Sequence, residues 1–473
     1  GLTFHRAYCS AAQCSPSRAC LLTGQYSNIN GVPALTGAGM PTIAQLPNAA
    51  TVLSAAGYDV YWKGKWHLSF PVGFQPPAPP SDEVWTEADI AALQQKYAMQ
   101  DWNTPDAGNA AGAYMPPATS EANVKARAAD LSTCGGGKAN NDGRYVDGYQ
   151  AGTQQTPGFG ESTLALLERM AKTPREKRKP FALFVSLVNP HDITFFPDAW
   201  QEAGCSPADL AGLDVPMPPN AADSLEGKPS IQKAYRDTLD AKSPLTGAAN
   251  TPENYVNFYA HLHRVVEPHI EKLLDFLTAS GMLPSTVIIR TADHGELGMS
   301  HGLREKSYSA YEEMIHVPLV ISNPVLFPTA CETDAFYSHV DLLPTLAELA
   351  QTKPEGIGKS MLPVMLNPSA SVQDSVLFAF DDSFVLKPDT PGSHIRALRA
   401  GNCTYAVYFN SSGGPFEYEL YDNEKDPGQM INLVHSPTQA VMTLWREMHR
   451  MLVEKMAQTN ATPEGFVFPD RLT

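Results

Sequence analysis

Residues 14–24 read Cys14-Ser15-Pro16-Ser17-Arg18-Ala19-Cys20-Leu21-Leu22-Thr23-Gly24. Ser15 is a favourable N-cap. Pro16 is a favourable first helical residue, because the N–H it lacks would have no helical acceptor there. Gly24 supplies a left-handed stop. The stretch predicts a short helix with Cys14 just ahead of its N-terminus. Free backbone N–H groups and the helix dipole favour an anion at that place. Arg18 lies about one turn in and can point back toward it. A group at position 14 is therefore expected to meet a bound oxyanion.

Outward from this helix, short apolar runs read as buried strands: Phe181 to Val188, Thr286 to Thr291 and Val317 to Ser322. Between the first two lies a periodic segment, Glu253 to Ser280. Its apolar positions Tyr255, Phe258, Tyr259, Leu262, Val266, Ile270, Leu273 and Leu277 predict a long helix, stopped by Gly281 and kinked at Pro268. Strand and helix in alternation predict an α/β fold, a large and mostly parallel sheet sandwiched by helices. After about Pro368 the pattern changes. Val376 to Phe380, Ile395 to Ala400, Tyr405 to Phe409 and Tyr418 to Tyr421 read as short strands, and Thr438 to Met456 as a helix. The expected division is a catalytic α/β domain over 1–368 and a smaller α+β domain of antiparallel strands and a helix over 369–473. Residues 75–160 are rich in Pro, Ala and Gly and read as an insertion near a substrate entrance.

The chain has 473 residues, 43% of them hydrophobic, enough to bury a sizeable core. Its net charge of -16 argues against a nucleic-acid partner, which would need clustered Lys and Arg. An anionic ligand must then be held by local cations. No apolar run is long enough for a membrane span. The seven cysteines, Cys9, Cys14, Cys20, Cys134, Cys205, Cys331 and Cys403, form no zinc pattern. With Cys14 set apart, six remain, a number that permits disulfides. Asn402, Asn410 and Asn460 lie in glycosylation sequons.

Four further places carry chemistry. Lys65 and His67 are two apart, so an extended chain would put a fixed cation and a titratable imidazole on one face. Asn189-Pro190-His191-Asp192 follows a predicted strand, and active sites in open α/β sheets gather at the carboxyl ends of strands. Asp293-His294-Gly295 follows another, where a carboxylate and an imidazole make plausible metal ligands. Lys306 precedes Tyr311-Glu312-Glu313 and His316-Val317-Pro318-Leu319. His261 and His263 are expected to face different ways on their helix. His301 and His316 read as structural, and Asp341 reads as a helix N-terminal residue.

Taken in order, these motifs resemble the type I sulfatases of the alkaline-phosphatase superfamily. Residues 14–24 match C-x-P-S-R-x-x-L-x-T-G at every fixed position, and Gly64-Lys65-Trp66-His67-Leu68 is similar to that family's G-K-W-H-L. The resemblance implies that Cys14 is oxidised to formylglycine by a formylglycine-generating enzyme. It implies catalytic roles for Cys14, Arg18, Lys65, His67, His191 and Lys306. It also implies a divalent metal, Ca²⁺ foremost and Mn²⁺ next, on Asp293, His294 and the oxygen at position 14. Many family members have Asn where His294 stands, and imidazole makes Mn²⁺ or Zn²⁺ more competitive. The implied substrate is a small sulfate ester or a sulfated sugar. The resemblance favours a periplasmic or secreted location and leaves a cytoplasmic one open.

One departure is plain. The family's first strand ends in two metal-binding Asp well before the nucleophile, whereas here thirteen residues precede Cys14 and no Asp or Glu occurs before Asp59. The expectation is an N-terminally shortened chain with weak metal binding. Two other activities fit the same residues: a phosphodiesterase or phosphonate monoester hydrolase, and an inactive binder of sulfated glycans.

Overall fold

The computed structural model describes residues 1–35, 43, 45–69, 86–103, 141–148, 161–198, 200–201, 205–382, 385–387, 389–436 and 438–463. Most of the expected 75–160 insertion lies outside the described residues.

Eleven strands are described, in three sheets. The first sheet has the order β5-β6-β1-β7, with β1 at Leu2–Tyr8, β5 at Ile288–Thr291, β6 at Leu319–Ser322 and β7 at Cys331–Ser338. The second has β2, Asp59–Gly64, between β3, Asp101–Asn103, and β4, Phe181–Ser186. Both pairings of β2 are parallel, as is β1 with β7, while β6 runs antiparallel to β1 and β5. The α/β part is therefore mixed, with three of its five pairings parallel.

The strand β1 was not foreseen. His5 and Arg6 interrupt its apolar run, and its register shifts between Phe4 and Arg6, which breaks the period-two signal. Leu2, Phe4, Ala7 and Tyr8 nevertheless face inward. The helix Pro252–Ala279 continues through Pro268. It buries Tyr255, Phe258, Leu262 and Val266 against its surroundings, and such packing outweighs one lost backbone bond. His261 is buried and His263 exposed, as their spacing implies. The pairs Asp223–His301, at 2.7 Å, and Ser338–Asp341, a reciprocal capping box, are structural.

The C-terminal strands are β8, Ser375–Phe380, β9, His394–Ala400, β10, Cys403–Asn410, and β11, Gly413–Asp422. They form an antiparallel sheet in the order β11-β10-β9-β8. The helix Gln439–Gln458 covers one face through Trp445, Met448, Leu452 and Met456. This sheet reaches the segment around Cys14 directly. The Ala379 N–H donates to the Ser10 carbonyl at 3.0 Å, and the Tyr26 hydroxyl donates to Leu377 O, also at 3.0 Å. The cysteines do not form three pairs, since Cys9 and Cys20 are buried free thiols.

A cluster of aromatic rings supports the end of β2. Trp62 stacks on Phe184 with ring centres 4.8 Å apart, and Trp66 meets Trp62 and Tyr97 edge-on. Each such pair contributes roughly 0.5–1.5 kcal/mol beyond its burial. At the turn that follows, Gly64 has φ +92°, and a Cβ there would lie 2.2 Å from Ser186 O. Gly64→Ala should therefore lower unfolding stability by at least about 2 kcal/mol, since left-handed strain adds to a backbone clash. A urea titration showing an unchanged midpoint would refute that expectation.

Candidate active site

The helix Cys14–Thr23 begins two residues before the capping rules place it, so Cys14 is its first residue and Gln13 its N-cap. The reason is the backbone. Gln13 O accepts from the Ser17 N–H at 3.0 Å, which closes the first turn without side-chain capping. Pro16 still falls in the first turn, where no N–H is needed. Gly24 ends the helix at φ +61°, as expected.

Cys14 is 2% exposed and stands among cations. Its Sγ lies 3.2 Å from His294 Nε2 and 3.5 Å from Lys65 Nζ. His67, His191 and Lys306 also act on it electrostatically. The sequence-derived residues thus converge on one sulfur. Lys65 and His67 arrive by a different route from the one expected. The strand β2 ends at Gly64, and His67 takes a left-handed φ of +55°, so the chain turns instead of staying extended. Indole N–H groups hold the turn: Trp102 donates to Gly64 O at 3.1 Å and Trp62 to Lys65 O at 3.0 Å.

Arg18 does not touch Cys14 through any described hydrogen bond. It holds the loops around it. Its Nε donates to Trp66 O at 3.0 Å, Nη2 to Lys65 O at 2.5 Å and Ser186 Oγ at 2.6 Å, and Nη1 to Asp293 Oδ2 at 3.3 Å. The Ser17 hydroxyl donates to the Asp293 carbonyl and also lies 3.0 Å from His339 Nδ1. Gly295 leaves no room for a side chain, since a Cβ would sit 2.0 Å from Glu313 O. The segment Asp293-His294-Gly295 is thereby pinned from both sides.

The electrostatics follow from burial among cations. Burial alone would raise the Cys14 thiol, but Lys65, His294 and Lys306 outweigh it and hold the group well below its ordinary value. Burial, then Lys65, pulls His191 down to about 3, so it is neutral in the free protein. Burial likewise lowers His67. Burial opposes ionisation of Asp293, yet His294, Lys65 and Arg18 keep it below the usual carboxylate range. His294 runs the other way: burial lowers it, and Asp293 and Cys14 more than compensate.

Among the described residues, Cys14, Asp293 and His294 form the cluster able to hold a metal, with ligand atoms within 4.8 Å of one another. The fit is one of kind. His294 Nδ1 lies 2.8 Å from Gly295 O, which accepts its proton and leaves Nε2 facing position 14. One carboxylate, one imidazole and one position-14 atom suit a divalent cation, with fewer oxygens than Ca²⁺ usually takes.

Sequence reasoning did not single out Ser186, His339, Glu296 or Glu305. Ser186 touches Arg18, His339 touches Ser17, Glu305 touches Lys306 and Glu296 the Glu305 N–H, and no spacing rule marks such residues.

The family described as Sulfatase matches residues 1–352, and one described as N-sulphoglucosamine sulphohydrolase, C-terminal, matches residues 299–458. The Escherichia coli sulfatase YidJ is 25% identical, over 92% of this chain and 76% of its own. The N-acetylglucosamine-6-O-sulfatase of Bacteroides thetaiotaomicron is 23% identical over the same shares. A structure solved with its substrate D-glucosamine-2-N,6-O-disulfate superposes with a TM-score of 0.65 at 20% identity, covering 98% of this chain and 91% of the other. That likeness establishes an alkaline-phosphatase-like fold.

In unmodified protein, Cys14 should be a thiolate at neutral pH. Its ultraviolet thiolate absorbance is expected to persist as pH falls below about 7, where an ordinary thiol of pKa about 8.5 is protonated. Loss of that signal in Cys14→Ser would assign it, and a signal that appears only above about pH 8 would contradict the cationic cradle.

Proposed function

The chain belongs to the sulfatase family and is a sulfuric ester hydrolase, and from that premise we propose that it cleaves a sulfated sugar with a nucleophile made from Cys14 by oxidation to formylglycine. One observation carries this reading. Lys65, His67, His191, His294 and Lys306 gather around the Cys14 sulfur in a buried cradle. The sulfur occupies the place that a formylglycine oxygen would take. The sugar rests on the relatives whose own names specify glucosamine sulfates. Maturation then needs a formylglycine-generating enzyme as partner.

The residues divide the work. Lys65 and Lys306 meet the sulfate oxygens, whose charge they offset as the bond to the leaving oxygen breaks. Lys306 is suited to this: burial would lower its pKa, but Glu305 and Cys14 raise it, so it stays charged. His191 is neutral until an anion binds. Sulfate beside it counters Lys65 and favours protonation, so binding prepares the proton that His191 gives to the leaving alcohol. His67, kept neutral by burial, accepts a proton from a hydroxyl at position 14 as sulfate departs. Arg18 positions the turn that carries Lys65 and His67. The aldehyde hydrate at position 14 supplies the attacking oxygen and a second hydroxyl. Asp293, His294 and the position-14 oxygen would hold a divalent cation, Ca²⁺ or Mn²⁺, which supplies Lewis-acid charge at the sulfate.

Mass spectrometry of the Cys14 peptide from a host able to convert it should show a loss of ~18 Da, the thiol-to-aldehyde change. An unmodified thiol would favour the non-catalytic binder. Cys14→Ala should lower kcat/KM on nitrophenyl sulfate at least about a thousandfold, and Cys14→Ser should stall as a covalent sulfate ester. An active Cys14→Ala would refute the scheme. Faster turnover of phenyl phosphonate than of nitrophenyl sulfate would transfer the reading to a phosphonate monoester hydrolase.

A further inference from the structure

Lys306 stands in a loop, residues 295–307, whose regular structure is one 3₁₀ turn at Ser300–Gly302. Backbone ladders therefore do not explain how its ammonium is held toward position 14. Side chains do. Glu296 Oε1 accepts from the Tyr255 hydroxyl at 2.7 Å, the Glu305 N–H at 2.7 Å and the Gly298 N–H at 3.1 Å. The loop closes around that oxygen. The Leu297 N–H donates to Glu305 O and the Met299 N–H to Leu303 O, both at 2.9 Å.

The closure has a visible cost. Glu305 adopts φ +65°, a left-handed conformation that costs a residue with a side chain roughly 1–2 kcal/mol. In that conformation Glu305 Oε2 lies 3.3 Å from Lys306 Nζ. On the other side, Ser307 Oγ accepts from Gln13 Nε2 at 2.6 Å, and Gln13 directly precedes Cys14. Lys306 is thus anchored on one side to the helix Pro252–Ala279 and on the other to the nucleophile segment.

We propose that Glu296, backed by Tyr255, is a positioning residue for the sulfate site. Its Oε1 fixes the Glu305 backbone, Glu305 fixes the Lys306 ammonium, and the ammonium sets affinity for the sulfate group. The inference rests on the sulfatase reading, because that reading gives Lys306 its ligand. The working feature of Glu296 is an acceptor oxygen in one place. Glutamine can present such an oxygen; alanine cannot.

The test uses the full chain carrying the aldehyde, with nitrophenyl sulfate as substrate and inorganic sulfate as competitive ligand. Glu296→Ala should raise KM and the sulfate inhibition constant together by about tenfold, while Glu296→Gln stays within about threefold of wild type. In a Lys306→Ala background, Glu296→Ala should change either constant by less than about twofold, because the two residues act in series. Unchanged constants in Glu296→Ala would overturn the assignment. So would a full effect of Glu296→Ala in the Lys306→Ala background, or a Gln variant as impaired as the Ala one. If Glu296→Ala does not fold, Tyr255→Phe removes one of the three bonds and carries the same comparison, with about a threefold rise expected. Calorimetric binding of inorganic sulfate needs no turnover. The Glu296 comparison therefore stands even if the chain hydrolyses no sulfate ester, an outcome that would defeat the sulfatase reading alone.

Discussion

The Arg18 guanidinium ties together segments that would otherwise have no reason to meet. It takes two carbonyls from the turn after β2, a hydroxyl from the end of β4 and a carboxylate from the loop after β5. Guanidinium offers five donors in one rigid plane, so a single charge can serve four partners in different directions. Lysine would offer one mobile point. A cation that is mostly shielded from water, as Arg18 is, also has to be paired, which makes removal of a partner costly. This one group ties the Lys65-Trp66 turn, Ser186 and Asp293 to the first helix.

The cradle that results sets cations beside buried imidazoles. Burial presses on the imidazoles of His67 and His191; Lys65 adds to it at both, and Lys306 at His191. Asp293 pairs with Arg18, and Glu305 with Lys306. An oxyanion bound beside Lys65 and Lys306 is attracted by both, and attraction that grows toward the transition state is what lowers a barrier.

Much of this was readable in the sequence because it is local. The first helix and its stop at Gly24, the buried strands and the antiparallel C-terminal sheet follow from short-range rules, whereas the convergence of the motif residues was implied by the family resemblance alone. Where the reading failed, the cause was long-range. The strand β1 owes its existence to partners more than three hundred residues away, not to its own period. Lys65 and His67 share a face because Gly64 and two tryptophans turn the chain, not because it is extended. Glu296, Glu305 and His339 act through backbone groups and through other side chains, and neither composition nor spacing records such partnerships.

The topology also sets a timetable. The strand β1 leads straight into Cys14, yet it pairs with Leu319–Ile321 and Cys331–Ser338, and Ser10 is tied to Ala379. At about 5–20 residues per second of synthesis, those partners emerge tens of seconds after the cysteine does. For that interval the segment around the thiol lacks the strands that bury it in the finished fold. Once the late strands arrive, the door closes behind it.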